Sequence, residues 1–95
     1  MVIGKVAGTV TSSSNCIHIN GGRYLLVNKC DQKGEIKNEF LVALDLVSAG
    51  IDELVMVAES TSARETPVTA NKAIDAIIVG IIDVIDENDQ VVYKK

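Results

Sequence analysis

The sequence predicts a small, mainly β protein built as a barrel of five or six short strands. Aliphatic residues supply the hydrophobicity, because 47% of the chain is apolar while aromatic residues make up only 3%. Short apolar runs, some of them alternating with polar residues, recur along the chain, and turn-forming residues separate them at regular intervals. With 95 residues the chain has room for one domain with a marginal core.

Six segments have strand-like patterns. They cover residues 2–12, 24–27, 40–44, 54–58, 77–82 and 90–93. Turns and loops rich in Gly, Asn, Asp and Ser separate them. They cover residues 12–15, 20–22, 31–34, 49–50, 60–69 and 86–89. In the first strand Val2, Val6 and Val10 share one face. Ala49 and Gly50 are turn or close-packing residues, and the polar segment 60–69 is a loop with room for one helical turn.

The segment 74–85 has two interpretations. Its isoleucines are spaced as on a helix, and Asn71 could cap that helix. Residues 77–82, however, are β-branched apart from Gly80, and this composition disfavours a helix but suits a strand buried on both faces. We therefore predict a strand. A lone glycine in such a strand indicates that another backbone approaches closely at Gly80.

These elements indicate one domain spanning residues 1–95, without repeats or linkers. The oligonucleotide/oligosaccharide-binding (OB) barrel is the natural five-stranded candidate. A chain this short cannot hide so much apolar surface alone, so part of it should be buried against other copies of the chain.

Charge and composition exclude several partners. Thirteen acidic and nine basic side chains give a net charge of -4, which opposes binding to a phosphate backbone. Stacking platforms for bases are also scarce, since Tyr24, Phe40 and Tyr93 are the only aromatic residues. The N-terminal residues lack the pattern of a signal peptide, and no apolar run approaches the ~20 residues that span a bilayer. We expect a cytoplasmic protein without nucleic-acid or membrane partners.

The sequence contains no catalytic, metal or cofactor motif. Cys16 and His18 could supply two metal ligands, but a structural zinc site needs four, and Cys30 is interpreted as a second reduced, packing thiol. His18 is the only histidine, and no nucleophile motif accompanies it. Asp83 and Asp86 resemble solvated turn residues more than an acid–base pair, and the glycines form no phosphate-binding motif. We expect neither an enzyme nor a cofactor.

The most unusual polar segment consists of Ser60, Thr61, Ser62, Ala63 and Arg64. From the residues alone it is an ordinary solvated loop, in which Ser60 or Thr61 can cap a helical turn.

Five segments, in order, carry a resemblance to a known family. They are the opening IGKVAGTV at 3–10, YLLV at 24–27, DLVSAG at 45–50, SAR at 62–64 and IDAIIVGIID at 74–83. Together they resemble the EutN/CcmL family of bacterial microcompartment vertex proteins, which includes carboxysome and metabolosome members. The family often has glycine where this chain has Ser48 and Asp52, and also ahead of its Ser-Ala-Arg segment, where this chain has Ser60.

The resemblance implies an OB-like five-stranded barrel with a short helix and a C-terminal strand. It also implies a pentamer with a narrow axial opening, placed at the vertices of a shell whose facets are flat sheets of hexameric proteins. It raises the segment from Ser60 to Arg64 to a candidate subunit-interface or pore loop. The alternative function is an OB-like module that binds a small molecule or nucleic acid.

Overall fold

The computed structural model describes residues 1–11, 23–59 and 76–95. These residues form seven β-strands, which in chain order are β1 Val2–Val10, β2 Arg23–Cys30, β3 Ile36–Asp45, β4 Leu54–Glu59, β5 Ala76–Ile81, β6 Val84–Glu87 and β7 Gln90–Lys94. The predicted loop 12–15, the predicted turn 20–22 and the polar loop 60–69 lie outside the described residues.

The first five strands close into a barrel in the order β1-β2-β3-β5-β4. β1 pairs antiparallel with both β2 and β4, and β2 pairs antiparallel with β3. β5 completes the ring by pairing antiparallel with β4 and parallel with the end of β3, where Leu44 faces Ile77 and Asp45 faces Ile78. The OB-like five-stranded barrel predicted from the sequence is confirmed.

Small and medium aliphatic side chains fill the barrel, because five strands enclose a narrow interior. The buried cluster consists of Val6, Leu25, Val27, Ala43, Ala49, Val55, Val57, Ala76 and Ile78. At Gly4 the neighbouring strand β2 leaves no room for a side chain. A Cβ atom there would overlap Val27 Cγ1 and lie 3.1 Å from the Asn28 carbonyl oxygen. The interior therefore requires a glycine at position 4.

β6 and β7 form a hairpin that packs on the outside of the barrel. Its turn places Asn88 and Asp89 at φ 54° and 62°, the left-handed conformation that tight hairpin turns use. An apolar cluster joins the hairpin to β1, β2 and β4, and it consists of Ile3, Cys30, Leu54, Ile82, Ile85 and Tyr93. The sequence predicted β7 and the turn, whereas it merged β6 with the strand before it.

None of the described residues is helical, and within them no helix could therefore cross a membrane. The choice of a strand over a helix is confirmed for Ala76–Ile81, while the possible cap Asn71 lies outside the described residues. The short helix that the resemblance implied is not found in the described part of the chain. The segment 60–69, to which the sequence assigned one helical turn, lies outside that part.

Candidate subunit interface

An apolar stripe runs along the outer face of β3. Its members Phe40 and Val42 lie two residues apart and are both exposed, so they point to the same side of the sheet. The exposed Ile36 lies beyond an irregularity in the β2–β3 register. Phe40, the one phenylalanine of the chain, is 68% exposed. Its neighbour across the sheet is Asn28, and that of Val42 is Leu26. This β3 stripe is therefore uncharged as well as apolar.

A second apolar surface lies on the outer face of β4 and β5. Met56 is 39% exposed and Val79 is 38% exposed. Gly80 pairs with Met56, and the register shifts beside Met56, so that Val79 has no paired partner in the β4–β5 register. We call Met56, Val79 and Gly80 the β4–β5 patch. It contains no charged side chain.

The close contact at Gly80 involves a side chain rather than a backbone. A Cβ atom at Gly80 would lie 2.7 Å from Met56 Cε, the end of a flexible side chain. The backbone approach that the sequence indicated is therefore corrected: the methyl group of Met56 covers the glycine, and it has rotamer freedom to move away.

The loop after β3 is tied down by a buried carboxylate. Asp45 is 4% exposed, and its Oδ1 accepts a hydrogen bond from the Val47 N–H at 3.1 Å. Its Oδ2 accepts from the Ala49 N–H at 3.1 Å and from Arg23 Nε at 2.9 Å. Arg23 Nη2 also donates to the Ala49 carbonyl oxygen at 2.5 Å. This network holds the buried Ala49, which the sequence marked only as a turn or close-packing residue.

Gly50 begins the turn that leads into β4. Its N–H donates to Glu53 Oε1 at 2.5 Å, and the Glu53 N–H donates back to the Gly50 carbonyl oxygen at 3.2 Å. Lys95 Nζ donates to Glu53 Oε2 at 2.6 Å. The hydrogen bond from Lys95, followed by that from Gly50, lowers the pKa of Glu53, and the Glu53 carboxylate in turn raises the pKa of Lys95. The predicted turn at Gly50 therefore also anchors β7.

Sequence reasoning missed Arg23, Asp45 and Glu53 as structural residues. A signal was present for Asp45, because an aspartate directly after an apolar strand often accepts a hydrogen bond from a backbone N–H two residues later. The pairing of Asp45 with Arg23 spans 22 residues, and no local pattern reveals such a contact.

Charged side chains also meet across the barrel strands. Lys29 Nζ lies 3.7 Å from Glu39 Oε2 and 3.6 Å from Glu59 Oε1. The Oε1 atom of Glu59 is buried and has no hydrogen-bond partner in the described part of the chain. We find no ligand-binding geometry here, since one lysine already lies between the two carboxylates.

The described candidates for catalysis or metal binding do not form a site. The thiol of Cys30 is buried in the cluster under the hairpin, and that burial raises its pKa, so it packs rather than reacts. Asp83 and Asp86 are exposed near strand ends. Within residues 1–11, 23–59 and 76–95, no three His, Cys, Asp or Glu side chains are grouped to hold a metal ion. Cys16 and His18 lie outside these ranges.

The predicted interface or pore loop also lies outside the described residues. It consists of Ser60, Thr61, Ser62, Ala63 and Arg64. The structure therefore does not relate that loop to the β3 stripe or to the β4–β5 patch, and its role stays a prediction.

Known proteins share both the sequence and the fold. The family described as ethanolamine utilisation protein EutN/carboxysome matches residues 1–83. The chain is 38% identical to the carboxysome shell vertex protein CcmL of Synechocystis, over 100% of this chain and 95% of that protein. It is 36% identical to the bacterial microcompartment shell vertex protein PduN of Salmonella typhimurium, over 87% of this chain and 96% of that one.

Two solved structures extend the likeness to three dimensions. The structure of Gloeobacter violaceus CcmL superposes with a TM-score of 0.92 at 35% identity, covering 100% of this chain and 98% of that one. The GrpN pentameric microcompartment shell protein from Rhodospirillum rubrum superposes with a TM-score of 0.81 at 36% identity, covering 92% and 99%. Because the family match covers most of the chain and the relatives align over nearly their full lengths, this protein belongs to the EutN/CcmL family.

Proposed function

We propose that this chain is a structural shell protein that assembles into pentamers and caps the vertices of a bacterial microcompartment. The observation that carries the proposal is the likeness over the whole chain to proteins named as shell vertex proteins. One solved relative with the same fold is described as a pentameric microcompartment shell protein. The protein then works inside the cell as part of the shell.

The surface of the barrel supports assembly. The β3 stripe and the β4–β5 patch leave apolar side chains exposed on a chain of 95 residues, and an exposed contiguous apolar surface marks an interaction site more often than not. In a closed ring every subunit buries the same two surfaces. The pentamer gives these exposed side chains a partner.

A position at the shell vertices implies which proteins this chain contacts. Flat sheets of hexagonal tiles cannot close without five-fold units at their corners, so hexameric shell proteins are the expected neighbours. The role requires no catalysis and no cofactor. The net charge of -4 also argues against nucleic acid as a partner.

The proposal is tested in a strain that lacks this gene and any paralogue of it. Facet proteins should still assemble, but the shells should be elongated or unsealed in electron micrographs. Because we assign no chemistry to this chain, the encapsulated enzymes should keep full activity in lysates. Normal closed shells together with lost enzyme activity would overturn the proposal.

A further inference from the structure

The two apolar surfaces differ in shape and lie at opposite ends of the pairing between β3 and β5. The β3 stripe has a protruding side chain, the largely exposed ring of Phe40. The β4–β5 patch has no side chain at its glycine, which is covered only by the flexible end of Met56. β5, which carries Val79 and Gly80, pairs with β3, but only at Leu44 and Asp45. Because the two strands are parallel, Phe40 and Val42 precede these pairs along the sheet, whereas Val79 and Gly80 follow them.

A ring of five imposes a condition that these surfaces meet. A five-fold ring is built from head-to-tail contacts, in which one surface of a subunit packs on a different surface of the next. A self-complementary patch would give a two-fold dimer instead. Two unlike apolar surfaces at opposite ends of the β3–β5 pairing are therefore what such a subunit needs.

We propose that the β3 stripe of one subunit packs on the β4–β5 patch of the next, with Phe40 seated over Gly80 against Met56 and Val79. This inference rests on the proposed function, because the ring supplies the second copy. Methionine suits the position, since its flexible thioether adapts to a neighbour and makes favourable contacts with aromatic rings. An exposed aromatic anchor is also the residue type that dominates binding at many interfaces.

Charge favours a second copy of this chain as the occupant. Identical chains with a net charge of -4 repel each other, so they meet best through uncharged surfaces. Both surfaces meet this condition, whereas the exposed valines of the β6–β7 hairpin do not. There Val91 pairs with Asp86 and Val84 with Lys94, so that charged side chains share their face.

The first test compares Phe40→Asp with Val84→Asp. Both substitutions place a carboxylate at an exposed apolar position, since Phe40 is 68% and Val84 50% exposed. Val84 pairs with Lys94, so its carboxylate variant faces a lysine, and neither variant should disturb the barrel. Loss of a central aromatic anchor should weaken each subunit contact by roughly 30-fold or more. In native mass spectrometry Phe40→Asp should dissociate at concentrations where Val84→Asp stays pentameric, and circular dichroism should show folded protein in both.

The second test is cross-linking with Phe40→Cys and Val79→Cys together, in a background carrying Cys16→Ala and Cys30→Ala. Mild oxidation should give a covalent ladder up to five chains on a non-reducing gel, and either new cysteine alone should give none. Dimers from Phe40→Cys alone, or dissociation of Val84→Asp to the same extent as Phe40→Asp, would overturn the inference.

The two proposals fail in different ways. A pentameric wild-type protein whose Phe40→Asp variant is equally stable as a pentamer contradicts this interface but leaves the vertex function standing. A monomeric wild-type protein contradicts the vertex function itself.

Discussion

Asp45 shows how one buried carboxylate organises a loop, and its removal should be costly. We expect Asp45→Asn to lower the free energy of unfolding by about 2 kcal/mol, because hydrogen bonds to a charged group contribute more than neutral ones. Asp86→Asn, at an exposed position, should change it by less than ~0.5 kcal/mol. Urea denaturation at a fixed subunit concentration measures both. Equal stability of the two variants would show that the Asp45 network contributes nothing.

Two glycines on β1 make a matched pair. A Cβ atom at Gly4 would overlap Val27 Cγ1, whereas one at Gly8 would have nothing within 4 Å. Overpacking predicts that Gly4→Ala destabilises the chain by about 1–3 kcal/mol. Gly8→Ala should be neutral or slightly stabilising, because alanine loses less backbone freedom on folding. Thermal melts of both variants check this, and a Gly4→Ala protein as stable as wild type would contradict the packing described for the barrel.

Two residues of the loop between β3 and β4 have a backbone conformation that the sequence did not predict. Ser48 and Asp52 lie at φ 58° and 68°, in the left-handed region that glycine adopts most easily. They are the two positions in this loop at which the family often has glycine. This chain has serine and aspartate there, so its sequence alone does not indicate the left-handed conformation at these two positions.

The anchoring of β7 to the β3–β4 loop should give the barrel a defined pH dependence. The bonds from Lys95 and Gly50 lower the pKa of Glu53 in the folded chain. Its contribution to stability is therefore present above the unfolded-state pKa, and it is lost as the pH falls through the lower, folded-state pKa. Lys95 has a raised pKa, so its contribution is present at neutral pH and is lost only in strongly alkaline solution.

Glu53→Gln isolates this effect. The difference in melting temperature between wild type and Glu53→Gln should be largest near neutral pH and should shrink to zero as the pH falls below the ordinary range of glutamate. The pKa of Asp31 is also lowered, by the N–H groups of Glu35 and Lys33. Because both proteins contain Asp31, its contribution to the pH dependence cancels in the difference between them. A difference that stays constant from pH 7 to pH 3 would show that the ion pair plays no part.

The strands were predictable where the pattern is strong and local. β1, β2, β4 and β5 follow from short apolar runs and from the turn-forming residues between them. β3 is longer than predicted because its first half, residues 36–39, is exposed and polar apart from Ile36. Within that half only Ile36 pairs with β2, opposite Cys30 and beyond an irregularity in the register, and this pairing is a tertiary contact. β6 was missed for a similar reason, since it is a strand only because β7 folds back on it.

At the scale of the whole subunit, the described residues leave apolar side chains exposed around a closed barrel. Its barrel is closed and its core is aliphatic, yet Ile36, Phe40, Val42 and Met56 remain exposed. The excess of aliphatic residues allowed us to predict self-association from the sequence. The positions of the two apolar surfaces could not be predicted, because both depend on which strands the barrel brings together and which face each strand turns outward.

Native mass spectrometry of the untagged protein tests whether the chain is a vertex pentamer. At micromolar concentration we expect one dominant species with five times the 10.1 kDa mass of the chain, stable to dilution because every subunit is held by two contacts in a closed ring. A monomer under these conditions would contradict the assignment.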